Sequence, residues 1–221
     1  MIPRQLEAKA NELLGKYPLL AVTGPRQSGK TTLAQRLRPD YVYINLELEE
    51  NRNFAENDPH GFLQAYQGGV ILDEVQYAPL LFPYLKHYTD QRGKTGEYIL
   101  AGSQQFLLLE KITQSLAGRV ALLQLLPLSL TELQMAGLPP ASAEDFILKG
   151  GYPRLYDQQI EATDFYPSYV HTYVERDVRQ IVNVTDLRLF RQFLTACAGR
   201  AGQIVNFQEL GNVLGIDSKT V

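Results

Sequence analysis

The sequence predicts an α/β protein: a three-layer domain on a five-stranded parallel sheet, followed by an all-α region. Two observations carry this. Short apolar runs rich in Val, Ile, Leu and Tyr alternate with helix-period segments from about residue 19 to residue 126, the pattern of βαβ units. After Pro127 the strand signals stop. Apolar residues then recur at helical spacing, in Val170, Tyr173, Val174, Val178 and Ile181 and again in Phe190, Phe193, Leu194 and Cys197.

The elements follow in order. Ile2, Leu6, Ala10, Leu13 and Leu14 share one helical face, and Gly15 and Pro18 end that helix. Leu19 to Thr23 is long enough for a buried parallel strand. Gly24 to Gly29 is a loop, and Lys30 to Arg38 a helix. Tyr41 to Leu46 is a second strand. The acidic stretch with Glu47, Glu49, Glu50, Glu56 and Asp58 reads as a solvated loop and helix start. Gly61 to Gln67 is helical and closed by Gly68 and Gly69. Val70 to Leu72 is a third strand, and Pro79 and Pro83 open the next helix, where missing N–H groups cost little. Tyr98 to Ala101 and Val120 to Leu126 complete the sheet. The expected division is a core over 1–135, a helical lid over 136–197 and the start of a winged helix over 198–221. In that last part Phe207, Leu210, Val213 and Leu214 form one face, Gly215 to Asp217 a turn and Ser218 an N-cap. The chain is expected to be a truncation or remnant, because it stops where a recognition helix would begin.

Composition narrows the classes. The chain has 221 residues, 45% hydrophobic and 20% charged, with a formal net charge of −3, which excludes a disordered tail and a global basic field for nucleic acid. No apolar run approaches the roughly 20 residues that span a bilayer. The N-terminus carries charges throughout, unlike a secretory leader. A lone Cys197 suits a reducing cytoplasm. His60, His87 and His171 are scattered, with no metal-ligand spacing, and the tyrosines fall on apolar faces, where they pack.

The chemistry is concentrated in two segments. Gly24-Pro25-Arg26-Gln27-Ser28-Gly29-Lys30-Thr31 fits GxxxxGK[ST] between a predicted strand and a predicted helix. Such a loop curls without Cβ clashes and turns its N–H groups and a helix N-terminus toward phosphates. Gly24, Pro25, Arg26, Gln27, Ser28, Gly29, Lys30, Thr31 and Thr32 are therefore the expected nucleotide contacts. Lys30 is to reach the β- and γ-phosphates and Thr31 to offer its hydroxyl to Mg²⁺. Val70-Ile71-Leu72-Asp73-Glu74 supplies the second half: Asp73 at the strand's C-terminal end to hold Mg²⁺ through water, and Glu74 to orient the attacking water. Ser103, after the next strand, is the candidate to sense the γ-phosphate. In P-loop ATPases with such a glutamate, that strand lies between the first and third. Arg26 reads as a solvated loop arginine, with an outward face toward a neighbour or ligand as the alternative, and Arg4 as an exposed first-turn residue, with packing over the nucleotide edge as the alternative. Arg119 reads equally as a finger that offsets phosphoryl charge or as a helix-end arginine.

GPRQSGKTTL, VILDEVQYAP, YILAGSQQF, SLAGRVALLQLLPLSLTEL and GGYPRLY, in this order, resemble prokaryotic AAA+ P-loop ATPases that carry a C-terminal domain of unknown function. The resemblance covers nearly the whole chain. It implies Walker A at Gly24 to Thr31, Walker B with its catalytic acid at Asp73 and Glu74, sensor 1 at Ser103, and a basic residue near the nucleotide or a subunit contact at Arg119. It also implies that the loop Gly150 to Pro153 touches the nucleotide, Pro153 included. A winged helix and then a nuclease-like region would follow, the latter expected to fall outside this chain. Many relatives have an aspartate after the second strand, where this chain has Asn45 and Glu47.

The reading is thus Mg²⁺-dependent ATP binding and hydrolysis, with ATP and ADP as ligands and self-association or a protein client as further partners. Two alternatives stay open: a nucleotide-gated switch with negligible turnover, and a DNA-associated module using the helix-turn-helix, which the acidic balance disfavours. No NKxD sequence supports a GTPase, and DEVQ on the third strand favours water over an acceptor hydroxyl.

Overall fold

The computed structural model describes residues 2–102, 115–174 and 186–217. The chain forms two compact units, Met1–Phe165 and Tyr166–Val221. The first holds a five-stranded, all-parallel sheet of order β2-β3-β4-β1-β5, from β1 (Leu19–Thr23), β2 (Val42–Asn45), β3 (Val70–Asp73), β4 (Tyr98–Gly102) and β5 (Val120–Gln124). The β4 strand lies between β1 and β3, as the glutamate-bearing type of P-loop sheet requires.

Alternation along the strands builds a core on each face. Leu19 and Ala21 of β1 face one side with Val70, Leu72, Tyr98 and Leu100. That side is covered by α3 (Glu49–Asn57), α4 (Pro59–Ala65) and α5 (Leu81–Arg92), which contribute Ala55, Phe62, Leu63, Leu81 and Leu85. Leu20 and Val22 face the other side with Ile71 and Ile99, under α1 (Leu6–Leu14) and α2 (Lys30–Leu37). These are the three layers the sequence predicts.

Boundaries shift where local chemistry overrides apolar runs. The acidic stretch is helical: Glu49 and Glu50 sit in the first turn of α3, where they favour the helix dipole, and Ala55 is buried. The α4 helix begins earlier than the glycine-based reading, because the Asp58 side chain accepts from Gly61 N–H and Pro59 occupies the first turn. The β5 strand is shorter than its apolar run: Leu125 still donates its N–H to Thr23 O at 2.8 Å, but the chain turns there toward α6 (Leu130–Met135).

Three further helices, α7 (Ala143–Lys149), α8 (Pro153–Asp157) and α9 (Ala162–Tyr169), continue the chain. A π-helical segment follows at Val170–Val174. The expected stripe beyond Val174 lies outside the described residues. The second unit contains α10 (Leu187–Ala198), capped by Asp186, and α11 (Phe207–Leu214), capped by Asn206 and ended by left-handed Gly215. The expected N-cap Ser218 lies outside the described residues. No described helix is long and apolar enough to cross a membrane.

Candidate functional site

The strand ends bring the two predicted motifs together. Register pairs Thr23 of β1 with Gly102 and with Gln124, and Asn45 of β2 with Asp73 of β3. The loop after β1 and the acids after β3 therefore leave the same edge of the sheet, where open α/β sheets bind ligands.

Gly24 to Gly29 forms the loop between β1 and α2. Gly24 has φ 149°, and a Cβ there would lie 2.1 Å from the Leu125 carbonyl oxygen, so this backbone approach admits only glycine. Gln27 is also left-handed, at φ 60°. Gly29 occupies the N-cap of α2, and no side chain caps that helix, which leaves its first N–H groups for a ligand. Lys30 is buried, and its Nζ donates to Pro25 O at 2.8 Å, folded back over the loop. Ser28 Oγ and Gln27 Oε1 are buried without a hydrogen-bond partner among the described residues, as groups that await an incoming ligand would be. Arg26 is half-buried, unlike the solvated arginine expected of it. Thr32 is exposed on the first turn of α2.

Asp73 is buried at the end of β3 and accepts three hydrogen bonds. Its Oδ2 accepts from Thr31 Oγ1 at 2.6 Å and from the Tyr43 hydroxyl at 2.9 Å, while Oδ1 accepts from Glu74 N–H at 3.1 Å. Burial, and then the Asp73 charge, push the Tyr43 phenol well above its ordinary range, so it stays a donor. The set fits magnesium delivered with phosphates: a hydroxyl and a carboxylate are hard oxygen donors, and Mg²⁺ is held by one or two protein oxygens plus phosphate and water. Among the described residues no group of three or more His, Cys, Asp or Glu could hold a metal unaided. Glu74, next in the chain, is left-handed at φ 53° and ψ 44°, a conformation that costs a non-glycine residue about 1–3 kcal/mol. Its carboxylate accepts from Gln76 Nε2.

A third component was open in the sequence only as the alternative for Arg4. Arg4 is not an exposed first-turn residue; its side chain is 8% exposed. Nη1 donates to Ser28 O in the phosphate loop at 2.7 Å, Nη2 to Leu126 O at 2.6 Å, and Nε to Glu132 Oε1 at 3.0 Å. Glu132 also accepts from Gln5 N–H and closes a capping box with Ser129 at the start of α6. Burial works to raise the Glu132 pKa, but the Ser129 and Gln5 N–H groups and the Arg4 guanidinium outweigh it and hold the carboxyl below its usual value. Beside this clamp a shallow cleft is lined by Ile2, Gly29, Thr32, Arg36, Pro153 and Asp157, among others. Pro153 reaches it because Leu128 N–H donates to Gly151 O at 2.6 Å, which ties the Gly150–Pro153 loop to the core. A Cβ on Gly29 would sit 4.0 Å from Pro153 Cγ and 3.6 Å from Arg4 Nη1.

Arg119 lies away from the phosphate loop of its own chain. It precedes β5, and its carbonyl accepts from Leu19 N–H at 3.2 Å, so it stands beside the beginning of β1. The phosphate loop leaves the other end of that strand, about 13 Å away at the usual rise per residue. Its guanidinium instead forks onto Asp90, Nε to Oδ1 at 2.5 Å and Nη2 to Oδ2 at 2.9 Å. It cannot reach its own chain's phosphate site. Ser103 lies outside the described residues.

Known proteins agree with this layout. Residues 16–134 match the model of a family described as an AAA domain, and residues 141–221 match a domain of unknown function (DUF8612). The uncharacterized protein Rv2008c of Mycobacterium tuberculosis and its Mycobacterium bovis counterpart Mb2031c are each 27% identical over 220 residues, covering 98% of this chain and 49% of theirs. The chain thus spans about half the length of the curated relatives it matches. Among solved structures, the Walker-type ATPase PABY2304 of Pyrococcus abyssi is similar in fold, with a TM-score of 0.58 at 16% identity over 97% of this chain and 89% of that one.

Proposed function

The chain belongs to the AAA domain family, and from that membership we propose that it binds ATP with magnesium at the Gly24–Thr31 loop and hydrolyses it. One observation carries the reading. Thr31 and Asp73, 42 residues apart, meet at 2.6 Å on the rim of a phosphate-type loop. Two separately recognised half-motifs thereby become one oxygen-lined site.

The residues divide the work. Lys30 exchanges its bond to Pro25 O for the β- and γ-phosphate oxygens, and Gly24, Pro25, Arg26, Gln27, Ser28 and Gly29 present the curled backbone to the phosphates. Thr31 and Asp73 would hold magnesium, which, when bound, neutralises charge on the β- and γ-phosphates. Glu74 orients water and takes its proton as the oxygen bonds to the γ-phosphorus; the bond to the β–γ bridging oxygen breaks and ADP leaves. Thr32 and Pro153 border the cleft beside Gly29 and belong to the same nucleotide surface. Ser103 keeps its proposed sensing role, and Arg119 has none within its own chain.

The switch reading has support of its own. Glu74 is left-handed and its carboxylate is taken by Gln76, so the base begins in a held position. Steady-state phosphate release separates the two. Glu74→Gln is expected to bind ATP as tightly as wild type while turnover falls about 10²–10⁴-fold. Equal phosphate release by the variant would overturn the base assignment, and background release by a wild type that binds ATP would establish the switch.

A further inference from the structure

Asp73 is held by a residue from the neighbouring strand that no phosphate-loop motif includes. Tyr43 pairs with Ile71 in the β2–β3 register, and Asn45 with Asp73. Side chains alternate along a strand, so Tyr43 shares the face of Ile71 and Asp73 and reaches diagonally to the carboxylate two residues on. This is also the face covered by α2, which contributes Thr31. Three elements converge on one carboxylate.

The acceptor arithmetic gives the convergence a direction. A carboxylate offers about four lone-pair positions, two on each oxygen. Thr31 and Tyr43 fill Oδ2, at 2.6 and 2.9 Å, and Glu74 N–H takes one position on Oδ1. Among the described residues one position, on Oδ1, stays uncommitted. The Thr31 hydroxyl can keep donating its proton while its own lone pairs face outward. Removing the Tyr43 hydroxyl would free a second position, on Oδ2, and let the carboxylate rotate about its Cβ–Cγ bond. Tyr43 is 38% exposed, so its hydroxyl is not needed to satisfy a buried core.

We infer that Tyr43 is the positioning residue for Asp73, fixing the carboxylate plane so that one Oδ1 lone pair meets the hydration shell of magnesium bound with ATP. The inference rests on the nucleotide reading above and adds a residue to it. Outer partners of this kind orient metal-binding carboxylates, and their loss weakens metal affinity about 10–100-fold.

Tyr43→Phe keeps the ring and removes one oxygen. Binding of a fluorescent ATP analogue is to be titrated for wild type and variant, in EDTA and across magnesium chloride concentrations. The expected result is equal affinity in EDTA, a magnesium midpoint raised about 10-fold or more in the variant, and turnover restored by saturating magnesium. Coincident magnesium titrations, a different affinity in EDTA, or a loss of turnover that magnesium does not restore would each overturn the role of Tyr43. Absence of magnesium-dependent binding in the wild type would overturn the nucleotide reading, and this inference with it.

Discussion

The Asp73 edge of the sheet and the Arg119–Asp90 pair at its other end carry charge in opposite ways. At the C-terminal end Lys30, Asp73 and Glu132 are buried, and each is held by short bonds to groups distant in sequence or to a curled backbone. At the N-terminal end, before β5, the Arg119–Asp90 pair is open to solvent, with side-chain exposures of 31% and 49%. Surface pairs of that kind contribute little to stability, whereas breaking a buried pair leaves an uncompensated charge. The N-terminal end also holds the more buried Arg92–Glu97 pair, so burial of the pair, rather than position along the strand, separates the two kinds.

The largest effect is expected at the tightest approach of the C-terminal end. Gly24→Ala would push a Cβ to 2.1 Å from Leu125 O, a backbone atom of a residue whose N–H is bound to Thr23 O. The loop and β5 must separate, and binding of a fluorescent ATP analogue is expected to become undetectable. Near-wild-type affinity in Gly24→Ala would show that the loop has slack and that the contrast between the two ends is weaker than drawn.

Next comes the clamp. Arg4→Ala strips Glu132 of its guanidinium and Ser28 O of a donor, and is expected to cost about 3 kcal/mol, read as a fall in thermal midpoint of roughly 6–12 °C for a chain of this size. The acid limb supplies an independent check. Glu132 has a lowered folded pKa, so its contribution is fully present above the unfolded value of 4.5 and is lost as pH falls through the folded value. Wild type is therefore expected to lose stability below about pH 4.5 more steeply than Arg4→Ala, whose Glu132 has less to lose. Parallel acid limbs would detach the clamp from that carboxyl.

How much of this was legible in the sequence follows from the same contrast. The phosphate loop, Asp73 and Glu74 could be read because each is a local run with its own backbone requirement: glycines for the curl, an apolar strand to carry an acid to its end. The place of β4 between β1 and β3 could be read because P-loop ATPases with a glutamate after that aspartate have it there. Glu132 and Tyr43 could not, and for Arg4 only packing over the nucleotide edge was open, not its buried pair with Glu132. Arg4 meets Glu132 across 128 residues and Tyr43 meets Asp73 across 30, and neither pair leaves a periodic or spaced trace. The one available hint was the Ser129–Glu132 capping-box spacing, which marks a helix start but says nothing of a buried arginine. Arg119 is the complementary case. Its type and neighbourhood suggested phosphoryl chemistry, while strand direction puts it a full strand length from the loop.

That placement makes Arg119→Ala the smallest expected effect and the most direct test of the contrast. The residue loses a bidentate contact to Asp90, and with it the influence that holds the Asp90 carboxyl below its ordinary value. Both partners are solvated, so water and salt replace the guanidinium at little cost, and the thermal midpoint is expected to stay within measurement error of wild type. ATP affinity is also expected to be unchanged, because nothing connects Arg119 to the loop except the length of β1 and β5. Turnover measured at increasing protein concentration is the informative quantity. If Arg119 acts only within its own chain, wild type and variant should coincide at every concentration. A deficit that appears only as concentration rises would assign Arg119 to the site of a second copy, and the solvated end of one sheet would become part of the catalytic end of another.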